Sequence, residues 1–195
     1  MNLQKMFEMQ KELDNRIIRE KGLEGQDLLP NTYVALITEL GEFANEGRWF
    51  KHWSDDQRAR NQDRYLEYRT EALGGNQWVE KNPLLEEFAD CLHFFLSIAI
   101  KKGWKEELNV SKEAIEDFKE AGFEGGLSGV FTEMQWHLLN SNVYKDEYKK
   151  KLHFRLSWSL FLAIGIVGFG FTPDQIEKAY MDKNAVNHKR QQEGY

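Results

Sequence analysis

Thr38-Glu-Leu-Gly-Glu-Phe-Ala-Asn-Glu-Gly-Arg-Trp-Phe-Lys-His-Trp53 is the stretch whose reading decides the fold. It begins inside an apolar run of helical period, Val34, Ile37, Leu40 and Phe43, with Leu36 and Ala44 widening the stripe. Glu39, Glu42 and Glu46 lie on the same helix. Residues three or four apart on a helix are neighbours, so these carboxylates form one column. Like charges in such a column repel by roughly 0.2–0.5 kcal/mol per pair. No Lys or Arg is interleaved before Arg48, so the column asks for a cation from elsewhere.

A second helix of the same kind follows from Leu84 to Ile100. Leu85, Phe88, Ala89, Leu92, Phe95, Leu96 and Ala99 make its buried side. Glu87 and Asp90 are three apart, Glu86 and Asp90 four apart, and no basic residue occurs until Lys101. Two helices with paired carboxylates among apolar residues fit a metal site built in a bundle core from facing helices. An all-oxygen ligand set suits Mg²⁺, with Mn²⁺ as the alternative, rather than Zn²⁺. Solvated acidic faces are the competing reading, weakened because both pairs sit on strongly apolar helices. The expected fold is all-α: a helical bundle with two carboxylate-bearing helices around a divalent-metal site.

The chain has 195 residues, 41% hydrophobic and 30% charged, and three prolines. That length fits one sizeable core or two small ones. A single domain over 1–195 is expected, with 54–83 as an insert or lid. The net charge of −6 disfavours non-specific nucleic-acid binding, which relies on basic surface. Cys91 is the only cysteine, which excludes an intrachain disulfide and fits a reducing compartment. No basic start and apolar run of a signal peptide opens the chain. The most apolar stretch, Leu156 to Phe171, is broken by Gly165, Gly168 and Gly170 and falls short of the roughly 18–20 residues of a membrane span. It reads as the central buried helix. A cytoplasmic protein with no membrane partner is expected.

Taken in order, Met1 to about Arg19 is an amphipathic helix through Leu3, Met6, Gln10, Leu13 and Ile17. Gln10 sits on that apolar stripe, with Asp14 one turn on; its partner is either neighbouring backbone or the edge of a bound base. Residues 21–31 form a loop. Ser54 to Pro83 is polar, with a short helix expected around Gln62 to Ala72, broken by Gly74-Gly75-Asn76. Trp49, Phe50, His52 and Trp53 at its start either cover a nucleobase or plug the helix end. Lys105 to Gly126 is partly helical, Leu127 to Asn140 is a helix with Val130, Met134 and Leu138 on one side, and Lys145 to Phe169 leads into the core helix. Thr172-Pro-Asp-Gln175 is a capping arrangement that starts the last helix. Tyr180, Lys183, Asn187 and Arg190 then recur on one face, flanked by Asn184 and Gln191. An ammonium, a guanidinium and amides on one face suit a polyphosphate; an exposed terminal helix is the plainer alternative.

The ordered set Glu39-x-x-Glu42, Glu87-x-x-Asp90 and Lys183-Asn-x-x-Asn-x-x-Arg-Gln-x-x-Gly-Tyr195 resembles the dimeric all-α dUTPases, which belong with the MazG-like all-α nucleoside triphosphate pyrophosphatases. Met9-Gln10-x-x-Leu13, Lys51-His52-Trp53 and His93-Phe94 extend the resemblance over nearly the whole chain. The resemblance implies that Glu39, Glu42, Glu87 and Asp90 hold Mg²⁺, with Glu39 or Glu42 also acting on the attacking water. It implies that Lys183, Asn187 and Arg190 contact phosphates or sugar, with Asn184 and Tyr195 supporting. Gln10 and Trp53 would lie near uracil. The implied reaction takes dUTP and dUDP to dUMP by attack at the β-phosphorus, in a homodimer. Asp14 departs from the Asn of some relatives, and 54–83 has no recognisable counterpart. A pyrophosphatase for another nucleotide such as dCTP, or a silent nucleotide-binding bundle, are the alternatives.

Overall fold

A computed structural model describes residues 1–68, 70 and 75–194. Helix α1 spans Leu3–Glu20, α2 Leu29–Gly47, α3 Pro83–Lys102, α4 Lys112–Ala121, α5 Gly126–Val143, α6 Glu147–Ala163 and α7 Pro173–Gln192. Strands β1, Asp63–Glu67, and β2, Gln77–Lys81, form an antiparallel hairpin. Among the described residues the fold is all-α apart from that hairpin. Among the same residues, no single helix is long and apolar enough to cross a membrane.

Local sequence sets the start of α3 and α7. Asn82 caps α3 by accepting from the Leu85 N–H, with Pro83 in the first turn. Thr172 and Gln175 complete a reciprocal capping box at α7. Pro30 sits in the first turn of α2, so that helix begins at Leu29 and shortens the expected 21–31 loop.

The buried face of α2 is rotated from the expected stripe. Tyr33, Leu36, Leu40, Phe43, Ala44 and Gly47 are buried, whereas Val34 is 64% and Ile37 37% exposed. The spacing Leu36, Leu40, Phe43, Gly47 alone keeps one side on the core. At Gly47 a side chain has no room: a Cβ would lie 2.3 Å from the Trp49 ring. Trp49 folds back there against Phe43, Phe131 and Phe169. It is thus a hydrophobic plug at the end of α2.

The core is one continuous cluster to which α1, α2, α3, α5, α6 and α7 all contribute. Phe88 of α3 stacks on Phe161 of α6 at 4.1 Å between centroids. The apolar stretch expected as the central helix ends α6 in a π-helical turn, Ile164–Gly168. The expected helix at 62–72 is corrected to the first strand of the hairpin. Tyr65 pairs with Val79 and Leu66 with Trp78; aromatic and β-branched residues favour a pleated surface. Ala72, the expected end of that helix, lies outside the described residues.

Candidate active site

α2 and α3 pack side by side and antiparallel, because Arg60 bonds both the Glu46 carbonyl at the end of α2 and the Leu84 N–H at the start of α3. This brings the two acidic pairs together. Glu39, Glu42 and Glu87 each offer an oxygen within 4.8 Å of the others. Such a set of oxygens can hold a divalent cation, and oxygen ligands alone favour a hard ion.

The electrostatics agree with that donor set. Burial, then the charges of Asp90, Glu42 and Glu87, pushes Glu39 up to about 7, against the opposing Lys183 ammonium. Burial and Asp90 push Glu87 up to about 6. Carboxylates crowded and desolvated in this way lack positive charge, which a divalent ion supplies. Asp90 stands beside the three and is engaged differently: Lys183 Nζ of α7 donates to its Oδ2 at 2.5 Å. Burial raises Asp90 while that hydrogen bond pulls it down.

A cavity of about 210 Å³ opens next to the cluster between α1, α3 and α7. Glu39 and Asp90 line one end, and Asn187 and Arg190 of α7 line it as well. Gln10, Asp14, His93 and Phe94 form another part of its wall. A larger groove of about 580 Å³ at the base of the hairpin is lined by Arg64, Glu80 and Lys81 among others, and collects none of the candidate residues.

Gln10 is the hub of a buried network. Its Oε1 accepts from Tyr180 Oη at 3.1 Å and faces His93 Nδ1 at 2.6 Å; its Nε2 donates to Asp14 Oδ1 at 2.7 Å. The other Asp14 oxygen accepts from Ser97 Oγ and Lys101 Nζ. A carbonyl oxygen only accepts, so His93 carries its proton on Nδ1 and presents a lone pair at Nε2. Burial and the Lys183 charge hold His93 down to about 3, so the ring is neutral. Nε2 is buried and has no hydrogen-bond partner among the described residues.

The candidate residues therefore divide. Glu39, Glu42 and Glu87 converge; Asp90, Lys183, Asn187, Arg190 and Gln10 border the same space. Asn184 is 2% exposed behind that wall, near Tyr180, with Nδ2 unpartnered. Trp53 does not line the cavity: it is 67% exposed and packs edge-on against His52 and Phe50. Tyr195 lies outside the described residues. Residue type alone gives His93, Phe94 and Ser97 no role, although they continue the Asp90 face of α3 at helical spacing. That periodicity was the available signal.

No curated protein matches the chain. A family model described as dUTPase matches residues 2–70 and 75–195, hence most of the hairpin segment as well as both acidic helices. The chain belongs to the dUTPase family, whose activity is of the dUTP pyrophosphatase type.

Proposed function

We propose that the chain hydrolyses dUTP, and dUDP, to dUMP with Mg²⁺, or Mn²⁺ in its place, held by Glu39, Glu42, Glu87 and Asp90. The observation that carries this reading is the convergence of three carboxylates beside a cavity bordered by cationic and amide side chains. Phosphoryl transfer asks the protein for positioning and charge cancellation rather than covalent chemistry. When bound, the cation supplies that cancellation and activates water. Lys183, now on Asp90, turns to the phosphates, and Arg190 and Asn187 hold their oxygens from the same helix face. Glu39 or Glu42 takes the proton of the attacking water. Attack at the β-phosphorus breaks its bond to the α-bridging oxygen, and needs only a diphosphate. Release of pyrophosphate from dUTP and phosphate from dUDP follows from one geometry.

The base enters among Gln10, His93 and Phe94. Opening of the cavity as the base enters uncovers the buried lone pair on His93 Nε2, which then accepts from the N3–H of uracil, whereas the N3 of cytosine carries a lone pair and would face it unpaired. Buried groups left without partners reject an analogue far more strongly than apolar packing does. The dCTP reading is weaker for that reason. We further propose one domain over 1–195, a homodimer, and a reducing cytoplasm in keeping with the buried thiol of Cys91.

Turnover of equal dUTP, dCTP, dTTP and UTP, with Mg²⁺ and with EDTA, tests the proposal. dUTP leads and EDTA abolishes release of pyrophosphate. Another nucleotide leading, or release that survives EDTA, would sink it.

A further inference from the structure

Arg60 joins the ends of the two acidic helices. Its N–H donates to the Glu46 carbonyl at 2.9 Å, and its carbonyl accepts from the Leu84 N–H at 3.1 Å. Helix ends carry backbone groups without intrahelical partners, and this residue satisfies one at each end. Its guanidinium also reaches back: Nη1 donates to Glu46 Oε1 at 3.2 Å.

Glu46 is the third carboxylate of the α2 column, one turn beyond Glu42. Its side chain is 20% exposed. Oε2 is buried and has no hydrogen-bond partner among the described residues. Its charge acts on Glu87 from across the helix pair. Glu46 thus has one oxygen committed to Arg60 and one uncommitted, beside an acidic cluster that wants a cation.

We propose that Arg60 is a positioning residue that withholds Glu46 from the acidic site, so that a cation there keeps positions open for water and phosphate. This inference rests on the metal-site reading above. Mg²⁺ in phosphate-handling sites keeps several waters and takes only a few protein carboxylates, and ligand charge sets affinity. A further carboxylate would tighten the ion and fill a position the reaction needs. The Glu46 side chain is mostly buried while Arg60 is 58% exposed, so removing the guanidinium leaves a carboxylate that burial penalises without its partner. Among the described residues Arg60 is the ion-pair partner of Glu46, and without the guanidinium a cation at the acidic site would draw that carboxylate instead. Arg60 as an exposed surface pair would add little stability; its role is in where it sends a carboxylate.

The test compares wild type, R60Q, E46Q and the double variant R60Q/E46Q, which leave the Arg60 backbone bonds available. Mn²⁺ binding to nucleotide-free protein is read by electron paramagnetic resonance, and dUTP turnover with Mg²⁺ gives kcat and KM. R60Q binds Mn²⁺ more tightly than wild type and loses kcat by about tenfold with KM little changed, the scale of outer-shell changes around a metal. E46Q stays close to wild type, and adding it to R60Q restores both affinity and kcat. R60Q indistinguishable from wild type overturns the proposal, as does a kcat loss that E46Q does not rescue, which would mark Arg60 as merely structural. If wild type does not turn over dUTP at all, the proposed function falls, and the Mn²⁺ series alone still decides the role of Arg60.

Discussion

Glu39 keeps its proton to a higher pH than a surface glutamate does. Burial, with Asp90, Glu42 and Glu87 facing it, raises it from 4.5 to about 7. A carboxyl raised in the folded state binds protons that the unfolded chain has released, so its stabilising protonation is complete below 4.5 and is lost as pH rises through about 7. Metal-free wild type therefore loses stability relative to E39Q across that window. Melting temperatures in EDTA should coincide near the acid end and separate in favour of E39Q at pH 8. Saturating Mg²⁺ should reverse the order, because the substitution removes a ligand and the ion stabilises only the folded state. Equal melting curves for the two proteins at every pH would show that the cluster is not strained. At His93 the issue is specificity. His93→Phe keeps a ring against Tyr180, which stacks on it at 4.3 Å, and removes the Nε2 acceptor. The preference for dUTP over dCTP should fall by about tenfold, the order expected for one buried hydrogen bond. An unchanged ratio of kcat/KM values would move base selection elsewhere in the cavity.

Among the elements, what the sequence disclosed and what it hid have separate physical causes. The acidic helices were legible because helical period and uncompensated charge are both local. So was α7, where Thr172 and Gln175 cap each other within one turn. The hairpin was hidden because mixed charge around Tyr65 and Trp78 masks the alternation, and pairing with residues 77–81 is non-local. The rotation of α2 depends on its neighbours, not its own sequence. The role of His93 depends on Gln10, 83 residues away. The π-turn at the end of α6 was visible only as glycines. One of them is required by packing: a Cβ on Gly165 would lie 2.6 Å from ring atoms of Phe88. Phe88 is stacked on Phe161 and adjoins Glu87, so the clash pushes on the helix that carries the acidic site. Gly165→Ala should destabilise the protein by about 1–3 kcal/mol, the usual cost of overpacking a core. Urea unfolding measures it, and a matching weakening of Mg²⁺ binding would show that the π-turn supports α3. A variant as stable as wild type would mean that Phe88 has room to move.

For the molecule as a whole, the location of apolar surface bears on assembly. The large apolar side chains near the end of α6 are used inside the chain: Trp158 and Phe161 are fully buried and Phe171 is 5% exposed, while Phe169 packs on Phe43 and Trp49. Exposed apolar groups lie elsewhere. Trp136, Leu139 and Val143 recur at helical spacing along the outer side of α5, and Val34 and Ile37 stand out from α2. Exposed aromatic and aliphatic side chains on one helix face suit the centre of an interface, where Trp is a frequent anchor. Light scattering of wild type should give twice the chain mass, and Trp136→Glu with Val143→Glu should give the mass of one chain. The acidic cluster is built from α2 and α3 of a single chain, so the monomeric variant should keep its Mg²⁺-induced rise in melting temperature. Trp53 is exposed and outside the cavity in one chain, so any contact it makes with the base depends on closure or on the partner. The same variant should then show a raised KM for dUTP beside unchanged metal binding. Wild type at the mass of one chain would end the dimer proposal. Loss of Mg²⁺ binding on dissociation would mean that the partner completes the acidic site.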